Sequence, residues 1–300
     1  MRSQASSTCP CLRAITIFCC LAAAFLVSAQ VSGLSPIPIQ DTLILRFSPR
    51  AGQTLIYGLR SRMDSEGQNF LGKSLTLSAL ADGAIDVFIR QVSKEAVFAE
   101  LTSPGIRIFL RTLGGQDAFT LKNSTDSPVQ VVFDKTSRIR EIKNTEGLEK
   151  QNPLNFSILE VLRTYWPALP DGPVAVGESW KDHKRLDIPF QEMSLIIELE
   201  ITYTLDAVVP ASEGRLALIS VAYTATISGE REVEEFKGSF EGRGGGSGNL
   251  LFQVESGYFS EYRLDYVING AMVLRKAEAK VFEWPFKLSA DASLILLEWR

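Results

Sequence analysis

The sequence predicts a mainly β chain (α+β by virtue of one central helix) built as a large curved antiparallel sheet or half-barrel of long hairpins. Three observations carry that expectation. Apolar residues recur with period two through most of the chain. One hairpin has arms of twelve or more residues, against about 5–6 for an average strand. A single stretch departs to a helical period.

The N-terminus reads as a leader. Arg2 and Arg13 flank it, an apolar run extends from Ala14 to Val27, and Val27-Ser28-Ala29 follows. That is a charged region, an apolar region and a small-residue cleavage site, so residues 1–29 are expected to be a signal peptide. The run is shorter than the roughly 20 apolar residues of a membrane span; an uncleaved N-terminal membrane anchor is the alternative. All four cysteines (Cys9, Cys11, Cys19 and Cys20) lie in this leader. Cleavage after Ala29 leaves no disulfide and no thiolate chemistry. Phe18 before Cys19 does not suit a lipid-attachment motif.

Residues 30–40, with Pro36 and Pro38 and no periodicity, read as an extended linker. A first β half is expected over 41–150. Its alternating rows are Leu43, Leu45, Phe47; Leu55, Tyr57, Leu59, Met63; Leu71, Leu75, Leu77, Ala79; Ile85, Val87, Ile89; and Ile106, Ile108, Leu110. Ala81-Asp82-Gly83 is a turn signal between two of them. Val129, Val131 and Phe133 lead through a turn at Asp134–Ser137 to Ile139 and Ile142. A connecting helix is expected over 151–167. Ile158, Leu159, Leu162, Tyr165 and Trp166 form one apolar face, Asn152-Pro153 supplies the start and Pro167 the stop. A second β half is expected over 168–300, the whole of 41–300 being one continuous domain as the alternative. Gly52–Tyr57 and Gly177–Trp180 open the two halves in a similar way. In the second half, Met193, Leu195, Ile197, Leu199, Ile201, Tyr203, Leu205 and Ala207 alternate with mostly polar residues. Past a turn at Pro210–Gly214, Ala217, Ile219, Val221, Tyr223, Ala225 and Ile227 do the same. A strand puts each row on one face; a helix cannot. A further hairpin turns at Glu255-Ser256-Gly257. Pro285 breaks the last pattern, leaving Leu294–Trp299 as a short strand.

Charge excludes one function class. The chain carries −4, and without Arg2 and Arg13 it carries −6. An acidic chain without a basic stripe is a poor nucleic-acid partner. Lys181, His183, Lys184 and Arg185 cluster locally, interrupted by Asp182, and read as a solvated turn or strand end.

Gly67-Gln68-Asn69-Phe70-Leu71-Gly72-Lys73-Ser74 matches the phosphate-loop pattern. That chemistry needs a helix after Lys73, where the sequence alternates like a strand. It reads as a turn, and no nucleotide is expected. Gly242-Arg243-Gly244-Gly245-Gly246-Ser247-Gly248 lacks the third glycine of a dinucleotide fingerprint and reads as a flexible hairpin or loop. His183 is the only histidine; with no nucleophile motif beside it, it reads as a surface residue. Glu198 with Glu200, and Glu232 with Glu234 and Glu235, read as acids of a wet face rather than a glycosidase pair. Asn123-Ser124-Thr125 and Asn155-Phe156-Ser157 are sequons with meaning only in a eukaryotic source. No catalytic residue, metal ligand or cofactor is expected.

The most specific string is Leu169–Trp180. Pro170, Pro173, Val174, Val176, Gly177, Glu178 and Trp180 match a P-x-x-P-V-x-V-G-[DE]-x-W signature. This resembles an uncharacterised family of exported bacterial β-rich proteins. The layout from Gly52 through the helix to the closing hairpin is similar over most of the chain. The resemblance implies no catalytic residues. Physically, the prolines hold an extended lead-in, Gly177 permits a tight turn and Trp180 is expected to anchor a core. The long hairpins also look like the half-barrel lipid and lipoprotein carriers of the bacterial envelope. The expected function is that of an exported, non-catalytic protein, periplasmic or extracellular, that takes a lipid or other hydrophobic ligand on a concave face. Leu195, Ile197, Leu199, Ile201, Tyr203, Ile219, Val221 and Tyr223 are the candidate ligand face. The alternative is a structural or assembly protein of the envelope with a filled core and a protein partner.

Overall fold

The computed structural model describes residues 42–68, 74–112, 115–123, 126–146, 166–190, 193–233, 236–276 and 279–300. Among these every named element is a strand: β1 (Thr54–Gln68), β2 (Ser74–Val92), β3 (Ala96–Thr112), β4 (Gly115–Asn123), β5 (Val129–Asp134), β6 (Ile139–Lys143), β7 (Ser179–Phe190), β8 (Met193–Ala211), β9 (Gly214–Val233), β10 (Phe236–Gln253), β11 (Tyr258–Lys276) and β12 (Ala279–Trp299). They form one antiparallel sheet in the order β6-β5-β3-β2-β1-β12-β11-β10-β9-β8-β7, with β4 paired to β3. The β1–β12 ladder, from Leu55–Trp299 to Gly67–Phe286, runs between strands from the two ends of the sequence. The sheet is large and antiparallel, as expected, and it is not closed by hydrogen bonds. It is all-β in its described part. The helix expected over 151–167 lies outside the described residues except for Trp166 and Pro167, which are not helical. The leader at 1–29 and the linker at 30–40 also lie outside them.

Three local expectations are corrected. Ala81-Asp82-Gly83 is not a turn, because β2 passes straight through it. Gly242–Gly248 is not a loop but the middle of β10. Pro285 does not break the last strand, since β12 runs 21 residues through it. Pro285 pairs with Ala271 of β11 and sits one residue beyond the last pair with β1, so no ladder bond to β1 is lost there.

The two faces of the sheet differ. Met63, Ala225, Ile227, Ile268, Leu288 and Ala292 point inward and are buried. Charged residues stand on the outward face of strand after strand: Arg60 on β1, Arg107 on β3, Glu200 on β8, Glu230 on β9, Arg243 on β10, Asp265 on β11 and Lys287 on β12 are exposed. The polarity is apolar-in and polar-out.

Glycines on the inward rows let neighbouring strands approach closely. On β10, Gly244, Gly246 and Gly248 lie on the inward row, and a Cβ on each would collide with the carbonyl oxygen of Val267, Asp265 or Arg263 on β11. On β2, a Cβ at Gly83 would collide with the Gly105 carbonyl of β3, beside a register shift between Ala84 and Asp86. Only a residue without a side chain allows so close an approach of neighbouring strands. Aromatic rings cover the gaps. Tyr223 stands opposite Gly246 and its hydroxyl donates to the Asp265 carbonyl at 3.4 Å. Phe286 lies against Gly242 and stacks on Phe240 with centroids 4.6 Å apart.

One end of the curled sheet holds the main core. Phe47, Phe133 and Phe259 surround Trp166, the Phe133 ring at 4.8 Å and the others at 6.1 and 6.2 Å. The extended segment 42–50 covers this end, with Leu43, Leu45 and Phe47 buried. Its backbone bonds reach Val174, Lys135 and Gly257.

Candidate functional site

The two free sides of the sheet meet at that end, where the segment 166–178 straps them together. Toward the β5–β6 turn, the Thr136 carbonyl accepts from the Leu169 amide at 2.9 Å, and the Ser137 hydroxyl donates to the Pro167 carbonyl. Ser137 takes a positive φ of 62°, which places its hydroxyl in that contact. Toward β7 and β8, the Trp180 indole donates to the Ala168 carbonyl at 2.9 Å, and the Ala168 amide donates to the Tyr203 hydroxyl at 3.4 Å. The Leu205 carbonyl accepts from the Gly177 amide at 2.7 Å.

Charges close the strap. Arg138 donates to Asp171 at 3.0 Å and to Asp182 at 3.3 Å, so one guanidinium ties the turn, the strap and β7. Lys184 lies 3.7 Å from Asp182 and donates to the Trp166 carbonyl at 2.5 Å. Burial pulls the Lys184 ammonium down to about 8, against the opposing pull of Asp182. Asp182 and Lys184 point inward from β7, while Lys181, His183 and Arg185 face out. Inward charges on a terminal strand discourage pairing with foreign strands. The basic cluster is therefore divided between two faces. His183 is exposed opposite Glu200, and Arg185 pairs with Glu198 at 3.3 Å.

The signature residues build the strap. Pro170 and Val174 are buried, and Val174 bridges to Leu43. Gly177 has φ +89° at the turn, and the Glu178 carboxylate accepts from the Ala175 amide at 2.7 Å. Pro173 and Val176 are exposed. Trp180 is half-buried and stacks on Tyr203 at 5.5 Å and 12°.

The candidate ligand face is distributed along β8 and β9. Ile201, Tyr203, Ile219 and Val221 are 4%, 0%, 1% and 2% exposed. Ile197 is buried, Leu199 and Tyr223 are half-buried, and the Leu195 side chain lies outside the described residues. The inward row does not continue to Ala207: a register shift after Leu205 brings Val208 inward instead. Tyr203 and Tyr262 share a hydroxyl contact, and burial raises both phenols well above the ordinary range.

The phosphate-loop match leads from Gln68 directly into β2 at Ser74, paired Gln68–Ser74. A strand stands where a phosphate-binding helix is required; residues 69–73 lie outside the described residues. The side chains of Glu232, Glu234 and Glu235 do so too. Among the described residues no cluster of three His, Cys, Asp or Glu has metal-binding geometry, and no helix is long and apolar enough to cross a membrane.

Sequence reasoning missed Arg138, Asp171, Asp182 and Lys184 as one network. The only signal was the Asp182–Lys184 spacing of two inside a strand, which by itself does not say which face is buried.

No family model matches the chain, and no curated protein matches it. Among solved structures it is similar to an outer membrane channel from Pseudomonas putida F1. The identity is 10% and the TM-score 0.21, over 85% of this chain and 99% of that one. A score of that size does not establish a common fold.

Proposed function

We infer that this is an exported, non-catalytic binding or assembly module whose curled sheet is filled by its own side chains. The observation that carries the reading is the burial of the inward row: Ile201, Tyr203, Ile219 and Val221 pack into the core that Trp166 and the strap complete. The exposed charges on the outward face suit water; a barrel that spans a bilayer turns an apolar band outward. Export rests on the Arg-flanked apolar leader. The carrier reading keeps one observation, the half-buried Leu199 and Tyr223 midway along the row.

Ile201→Glu separates the two. In a filled core the carboxylate is buried without a partner, and the variant loses about 3 kcal/mol or more of stability, or unfolds. Circular dichroism in a urea titration measures this. In a carrier the variant stays folded and loses binding of a lipophilic dye, and that outcome would contradict the filled-core reading.

A further inference from the structure

At the rim of the strapped end a cavity of about 520 Å³ opens between the start of β1, the β8–β9 turn, the β10–β11 turn and the end of β12. Its size lies in the range of small-ligand sites. Arg50, Arg300, Glu213, Glu255, Tyr258 and Trp299 line it. Trp299 is 50% exposed although it stands opposite the fully buried Leu55. The Trp299 side chain lines the cavity and is half exposed.

The two carboxylates are positioned rather than loose. Glu255 is clamped by Arg215, whose backbone amide and side-chain Nε each donate at 2.6 Å. Gly214, with φ +111°, leaves room for the Glu255 carboxylate, which a Cβ there would strike. Glu213 accepts from the Tyr258 hydroxyl at 2.5 Å and from Ser256 at 3.4 Å.

The mixture of signs selects the ligand class. Glu213 and Glu255 oppose an anion, and Arg50 and Arg300 oppose a cation. A neutral polyol satisfies both, because each hydroxyl donates and accepts. The aromatic face wants a flat apolar surface on the same molecule. A saccharide ring carries both features. We propose that this rim cavity is a saccharide-binding site, with Trp299 as the stacking platform, Arg50 and Arg300 as donors and the two glutamates as acceptors. The site is independent of what fills the interior of the sheet.

Isothermal titration calorimetry of the full chain with maltotriose, cellotriose and triacetylchitotriose, each at millimolar concentration, tests it. At least one is expected to bind saturably. Trp299→Ala should weaken that sugar about tenfold, the worth of one aromatic contact, and Trp299→Phe should restore most of the loss. Arg50→Ala should weaken it about fivefold, the worth of one hydrogen bond. Both positions are at the exposed rim, and Trp299→Phe with Arg50→Ala carries the test if Trp299→Ala fails to fold. Absence of binding by all three sugars, undiminished binding in the variants, or equal binding of inorganic phosphate would overturn the proposal.

Discussion

Lys184 shows how a single residue ties stability to pH. Its ammonium is buried on the inward face of β7 between Asp182 and the Trp166 carbonyl, and its pKa falls to about 8 from 10.5. Between those values the unfolded chain holds the proton and the folded chain has released it. Stability therefore rises with pH across that window and gains nothing below it. The tyrosines act in the opposite direction. Burial raises Tyr57, Tyr203, Tyr258 and Tyr262 above the ordinary value of 10. Above pH 10 the unfolded chain releases those protons first, and stability falls. Urea unfolding of the wild type and Lys184→Met should diverge by about 2 kcal/mol between pH 7 and 10, the wild type gaining. Above pH 10 both should lose stability together. Parallel curves below pH 10 would mean that the ammonium is solvated.

At the scale of the element, glycine acts in these strands as the residue that permits close strand approach. Gly246 sits where β10 and β11 close together, and any Cβ there collides with the Asp265 carbonyl. Gly172, in the strap, has open space around it. Gly246→Ala should cost about 1–3 kcal/mol, as overpacking does, whereas Gly172→Ala should stay within about 0.5 kcal/mol. Thermal unfolding of the two variants compares them. Equal effects would remove the steric explanation for glycine at this close β10–β11 approach. The same residues show where the sequence was legible. The 193–228 hairpin announced itself because apolar residues at every second position admit only a strand. The glycines of β10 did not, because in sequence a glycine that permits a close strand approach looks like one that permits a turn. Ala81-Asp82-Gly83 misled for the same reason. The signature segment was visible as extended chain with a turn at Gly177. Its task of strapping two sheet edges was not, because its partners Ser137, Arg138 and Tyr203 are distant in sequence and no local pattern links them.

The described residues form one antiparallel sheet curled onto its own apolar face, with charges on its outward side and one end closed by segments 42–50 and 166–178. Its outward face carries charges on strand after strand, where a membrane barrel turns an apolar band outward. Trp180, expected as a core anchor, is half-buried and packs against the core, and the central aromatic plug is Trp166, set among Phe47, Tyr57, Phe133 and Phe259. The proposed filled core leaves no room for an acyl chain. Native mass spectrometry of the protein purified from its own host tests that claim most directly. A mass equal to the polypeptide alone is the predicted result, and a retained lipid that adds mass and is lost on unfolding would contradict it.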